Sequence, residues 1–145
     1  MHPFPHHYRA TGRAAPQGNV TLGGTQLPDI SSAPPEEFGG PGDQWSPESL
    51  LVAAVADCFT LTFRAIAANS KLEWTALECE VTGTLDRVER ITQFTHMAVS
   101  AVLTVAPGTD VEKAEKLMHK AEQGCLISNS LKAERSLEAA VRVAD

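Results

Sequence analysis

The sequence predicts an α+β fold, an antiparallel sheet built of hairpins and packed on one long central helix. Three observations lead there. Trp74–Asp86 and Gln93–Val105 alternate apolar and polar residues, the period-two signature of half-buried strands. Trp45–Asn69 is small or apolar almost all the way round from Leu50 onward, as a buried helix is. The element order reads β-β-arm-α-β-β-α-β, and a sheet made of hairpins leaves one face for a helix to cover. With 145 residues, 43% of them hydrophobic, the chain suffices for one domain with a real core, taken as residues 1–145.

Residues 1–5 read as a frayed start. His6–Arg13 reads as a strand, with Tyr8, Ala10 and Gly12 on one face and His7, Arg9, Thr11 and Arg13 on the other. Ala14–Gly18, with Pro16 and Gly18, is a turn, and Asn19–Leu22 completes a hairpin. Gly23–Gln44 is rich in Gly and Pro; a connection of that length is usually functional, a lid or an arm. Its Leu27, Ile30 and Phe38, with Trp45, call for something to pack on. The helix then opens with Ser46 as N-cap and Pro47 at the first helical position, where a missing N–H costs nothing. Glu48 lies in the first turn, where the helix dipole favours an acid. Asp57, Thr60, Thr62 and Arg64 interrupt the apolar run, which argues against a membrane span.

In the strand after the helix, Leu77, Cys79, Val81 and Leu85 face inward. Arg87–Ile91 is a charged turn, and Met97, Val99, Ala101, Leu103 and Val105 form the inward set of the next strand, the two making a long hairpin. Pro107-Gly108 breaks the chain, and Thr109 with Glu112 forms a capping box. The second helix buries Val111, Ala114, Leu117, Met118 and Ala121 and stops at Gly124. Leu137, Val141 and Val143 alternate with Glu138 and Arg142, so the chain ends in a strand.

A formal charge of −6 and the lack of a basic run argue against nucleic acid and anionic membranes as partners. The start lacks an apolar signal-peptide region, so a cytoplasmic location is expected. Three cysteines do not read as a secreted disulfide framework. The five histidines include no HExxH and the cysteines no CxxC, so neither a metal nor a cofactor is expected.

Cys58 lies mid-helix and Cys125 follows a helix stop. Either alone would pass for a small buried hydrophobe, and Cys79, between Leu77 and Val81, reads as core. A reactive thiolate needs a cation or a helix N-terminus to lower its pKa. Asp57 works against that at Cys58, and Cys58 is far from the start of its helix. Arg9 and Arg13, on one face of the first strand, are candidate cations. Arg64 is a third, though six residues on it points roughly 120° away from Cys58.

The run PPEEFGGPGDQWSPESLLVAAVADCFTLTFRAIA, followed by AEQGCLISNSLKAERSLEAAV, resembles the OsmC/Ohr family of osmotically induced and organic hydroperoxide resistance proteins. The shared motifs are a Pro-Glu opening the long helix, a Cys-Phe ten residues after the glutamate, and a C-x-x-S after the next helix. The resemblance covers nearly the whole chain. It implies a cytoplasmic thiol peroxidase, an intertwined homodimer of α+β subunits that reduces organic hydroperoxides without metal, flavin or haem, and is itself reduced by a dithiol of the lipoyl type. Cys58 then corresponds to the peroxidatic cysteine, Cys125 to the resolving cysteine and Glu48 to the active-site glutamate. The family also places an arginine against the thiolate. The loop before the helix carries none here, and ATGR at Ala10–Arg13 is similar to the version on the N-terminal hairpin, which favours Arg13 and leaves Arg9 and Arg64 open. The missing loop arginine keeps an alternative in view: an OsmC-like dimer that binds a small molecule or senses redox state, with little peroxidase turnover.

One expectation is geometric. In a regular helix Glu48 and Cys58 stand about 15 Å apart along the axis with side chains roughly 80° apart. An obligate homodimer, pairing the helix with its symmetry mate, would let Glu48 of one subunit serve Cys58 of the other, twice over.

Overall fold

The computed structural model describes residues 1–145. In chain order it contains β1 (Thr11–Arg13), β2 (Val20–Gly24), β3 (Leu27–Ser32), a 3₁₀ turn (Glu36–Phe38), α1 (Pro47–Asn69), β4 (Ala76–Val88), β5 (Ile91–Val105), α2 (Val111–Gly124), α3 (Leu126–Asn129) and β6 (Glu134–Val143). The elements form an α+β fold with two three-stranded sheets. They fall into two compact units, Met1–Leu51 and Val52–Asp145.

In the first unit β1, β2 and β3 form an antiparallel sheet. The first strand is shorter than the His6–Arg13 expected, and β3 lies inside the stretch expected to be an arm. Thr25 and Gln26 make a tight turn, Gln26 with φ 62°, which folds Leu27 back onto Gly24. Pro28 is tolerated because β3 is an edge strand, where a missing N–H need not break a ladder. The remaining loop is closed at its ends: the Ala33 N–H donates to the Trp45 carbonyl at 2.8 Å. Gly40 has no room for a side chain, since a Cβ there would lie 1.6 Å from the Pro34 carbonyl oxygen. Leu27, Ile30, Phe38 and Trp45 are nonetheless exposed rather than packed.

The N-terminus of α1 follows its sequence signals. The Ser46 hydroxyl accepts from the Ser49 N–H at 3.1 Å, and the Ser49 hydroxyl accepts from the Ser46 N–H at 2.8 Å. This is a reciprocal capping box with Ser in the place of the usual Glu.

In the second unit β4 and β5 form the expected hairpin. Its turn is Glu89-Arg90, with φ of 50° and 70°, the two left-handed residues of a type I′ turn. The sheet is not wholly antiparallel, however: β6 pairs with β5 in parallel, from His96↔Glu134 to Val105↔Val143. The reason is the connection. The chain returns through α2 and α3 to the end at which β5 began, as a parallel crossover must.

The core joins Met97, Val99, Ala101, Leu103 and Val105 of β5 to Val55, Phe59, Phe63 and Ala67 of α1 and to Ala114, Leu117, Met118 and Ala121 of α2. Phe63 meets Trp74 edge to face at 5.5 Å. Gly83 lets α1 approach β4, since a Cβ there would lie 2.8 Å from Val52 Cγ2 and 2.9 Å from Phe94 Cε1. The all-round burial expected of α1 is not seen. Its buried residues recur every fourth position and form one stripe, while Leu61 is 49% exposed. By length and composition α1 is apolar enough to cross a bilayer despite Asp57 and Arg64, but the stripe is packed as a core helix packs. The α2 cap also lies one residue later than expected: Asp110 accepts from the Lys113 N–H at 3.1 Å, while Thr109 donates to the Ala106 carbonyl.

Candidate functional site

Cys58 and Cys125 are brought together in the second unit. Cys58 projects from the middle of α1. Cys125 sits between α2 and α3, buried, with its N–H donating to the Glu122 carbonyl at 3.3 Å. Both thiols are free, and they are close enough for each to shift the pKa of the other. The sulfur of Cys58 also lies 3.9 Å from the Thr62 hydroxyl, one turn further along α1.

The two thiols are unlike. Burial pushes the Cys58 pKa up, but the Ile127 N–H, the Cys125 thiol, the Thr62 hydroxyl and the Leu126 N–H together outweigh it, and the pKa falls below its ordinary value. Leu126 and Ile127 open α3, and the first N–H groups of a helix have no partner within it. Here they face a sulfur whose anion they stabilise. Burial raises the Cys125 pKa; Ser128 opposes the rise through its hydroxyl and N–H, and Cys58 adds to it. Cys58 is therefore the more readily ionised of the two thiols at neutral pH. Cys79 stands half-buried on the inward face of β4, opposite Ala101. Burial, and then Cys125, push its thiol up to about 11.

An open groove of about 510 Å³ leads to Cys58. It is lined by Ala54, Asp57, Leu61, Thr62, Ala65, Leu126 and Ile127 as well as by the cysteine, and is mostly apolar. Arg64 lines a different groove, with Trp74 and Glu73, and does not reach this one.

Glu48 and Arg13 belong to the first unit. Glu48 lines a small pocket with Val20, Pro34, Pro35 and Phe38, and its Oε1 is buried without a hydrogen-bond partner. A buried carboxylate oxygen left unpaired is costly and calls for a donor. Arg13 is exposed and pairs at 3.5 Å with Asp29 across the sheet. Arg9 is exposed as well. No three His, Cys, Asp or Glu side chains converge on a point where a metal ion would sit.

Sequence reasoning found both cysteines but not the groups that act on Cys58. A signal was present for each: a threonine four residues after Cys58, on the same helix face, and a cysteine immediately before a helical turn.

These features sit within a known fold. The OsmC-like protein family matches residues 40–139, and the chain belongs to that family. It is 34% identical over 116 residues to the uncharacterized protein YmaD of Bacillus subtilis, covering 75% of this chain and 76% of that one. It is 32% identical over 123 residues to an organic hydroperoxide resistance protein of Xanthomonas axonopodis, covering 83% of each. An OsmC-like protein of unknown function from Vibrio cholerae superposes with a TM-score of 0.83 at 19% identity, over 93% of this chain and 99% of that one.

Proposed function

We propose that this protein is a two-cysteine peroxidase for organic hydroperoxides. The observation that carries the proposal is a Cys58 of lowered pKa, lining an open apolar groove and coupled to the buried Cys125 behind it. The Cys58 thiolate attacks the distal oxygen of the hydroperoxide. The O–O bond breaks, the alkoxide leaves and is protonated to the alcohol, and Cys58 becomes a sulfenic acid. Cys125 then attacks the Cys58 sulfur, water departs, and a disulfide forms. A dithiol of the lipoyl type restores both thiols by exchange, in the reducing environment of the cytoplasm. The apolar wall of Leu61, Ala65, Leu126 and Ile127 suits an alkyl chain better than hydrogen peroxide. The organic hydroperoxide resistance relative supports the same substrate class.

Residues 1–145 act as one OsmC-like domain in this reading, and Arg13 supplies the guanidinium at the thiolate, oriented by Glu48. The unpaired Oε1 of Glu48 is the acceptor such an arginine would need. The unbroken α1 preserves the premise that Glu48 serves the Cys58 of a second subunit in a homodimer. A second reading, a small-molecule-binding or redox-sensing dimer, is favoured by the neutral character of the groups that stabilise the Cys58 anion within its own unit. Stopped-flow consumption of an alkyl hydroperoxide by the reduced protein separates the two. Rapid stoichiometric consumption supports the peroxidase, and its absence supports the binder or sensor.

A further inference from the structure

Along β6 the side chains alternate between outward and inward, and the inward set runs Arg135, Leu137, Ala139, Val141. An arginine heads an otherwise apolar row. Its position is opposite Met97 of β5, one of the most deeply buried residues of the unit. The Arg135 side chain is only 25% exposed and its ion-pair partner Glu122 only 16%.

Each nitrogen of the guanidinium donates one hydrogen bond. Its Nε donates to Glu122 Oε1 at 2.6 Å and Nη1 donates to Asn129 Oδ1 at 2.5 Å. Nη2 donates to the Glu122 carbonyl, the same oxygen that accepts the Cys125 N–H. The Asn129 side chain in turn donates to the Gln123 carbonyl at 3.2 Å, and the Asn129 N–H donates to the Cys125 carbonyl at 2.9 Å. One side chain thus bonds residues three before and four after Cys125.

We infer that Arg135 is a positioning residue, gripping Glu122–Asn129 at both ends and so holding Cys125 and the Leu126 and Ile127 amides against Cys58. The inference rests on the thiol pair of the proposed function but not on peroxide turnover. Only a planar fork meets three acceptors in these directions; a lysine keeps the charge and loses the geometry. The other titratable groups around the pair are Asp57 on α1, which lines the groove, Cys79 on β4, and Glu122 itself.

The test compares Arg135→Lys, Asn129→Ala and, as a control, Lys113→Ala, which removes the Lys113 Nζ bond to the Ser70 carbonyl at the far end of α2. Each folded variant is read by the pH profile of Cys58 alkylation and by the Cys58–Cys125 redox equilibrium in a dithiol buffer, both without peroxide. In Arg135→Lys the alkylation rate at neutral pH should fall roughly five- to tenfold, with the profile displaced to higher pH. Asn129→Ala should fall between Arg135→Lys and the wild type, and Lys113→Ala should match the wild type whatever its melting temperature. A folded Arg135→Lys with wild-type profile and equilibrium would overturn the inference, as would an equal shift in Lys113→Ala. A wild type that alkylates as described but consumes no hydroperoxide would remove the peroxidase reading and leave the clamp standing.

Discussion

Leu126→Pro isolates one of the groups that make Cys58 acidic. Leu126 is the first residue of α3, the position at which a helix accepts proline most readily. The preceding Cys125 has φ −67° and ψ 106°, the extended conformation that a residue before proline prefers. The Leu126 side chain is exposed, so little packing is lost. What the substitution removes is the N–H that faces the Cys58 sulfur. A hydrogen bond to a charged group contributes about 1.5–3 kcal/mol. The groove is open and water replaces part of that, so about 0.7–1.4 kcal/mol of thiolate stabilisation should be lost. Since 1.36 kcal/mol is a factor of ten, the thiolate fraction at neutral pH falls roughly three- to tenfold. The assay is the rate of Cys58 alkylation against pH, with Leu126→Ala as the control that keeps the N–H. Equal rates in the two variants would show that the Leu126 N–H does not help hold the Cys58 thiolate.

Four further outcomes are expected. Cys58→Ser should abolish hydroperoxide consumption, whereas Cys125→Ser should react once and stall as a sulfenic acid that a dimedone-type trap captures. Cys79→Ser should leave that chemistry intact and cost about 1 kcal/mol of stability in a denaturant melt. It should also change the alkaline limb. The folded Cys79 pKa of about 11 lies above the ordinary 9.0, so the folded state holds its proton longer and wild-type stability should decline as pH rises from about 9 to 11, a slope the variant should lack. Gly83→Ala forces a methyl into contact with Val52 and Phe94 and should cost about 1–3 kcal/mol by thermal melt. Arg13→Ala should slow Cys58 alkylation at neutral pH more than Arg64→Ala does; equal, negligible effects would leave the thiolate to the backbone amides.

Periodicity carried most of the second unit. The inward sets of β4 and β5 and the buried stripe of α2 were legible because each element buries one face, and burial imprints the repeat on the sequence; Leu85 is the exception, exposed because the β4–β5 register shifts between Thr84 and Leu85. The Ser46-Pro47 start of α1 was legible because capping is local chemistry. β3 was not, since Pro28, the Gly23-Gly24 pair just before it and a largely exposed strand leave no alternation to read. The parallel β6 was missed for another reason. The connection from β5 contains a whole helix, as a parallel crossover does, but the alternation of a strand is the same whether its neighbour runs parallel or antiparallel. The cap of α2 fell on Asp110 rather than Thr109 because adjacent residues of similar chemistry compete for the same N–H groups.

The site divides in the same way. The cysteines stood out by type, yet no spacing rule joins residue 58 to residue 125; only the resemblance paired them, and the fold then set them side by side. The amides that acidify Cys58 belong to Leu126 and Ile127, whose side chains carry no trace of the role. Arg135 was legible in principle, as a charge in the inward phase of a strand. It went unread because the alternation begins to be visible only at Leu137.

A two-cysteine peroxide cycle leaves a distinct product on each thiol after a single turnover. The reduced protein is mixed in a stopped-flow instrument with one equivalent of an alkyl hydroperoxide and, separately, of hydrogen peroxide, then quenched with an alkylating agent and mapped by mass spectrometry. One alcohol should form per subunit, with a Cys58–Cys125 disulfide, Cys79 alkylated, and faster reaction with the alkyl hydroperoxide. Unconsumed hydroperoxide with all three thiols alkylated, or a disulfide that includes Cys79, would contradict it.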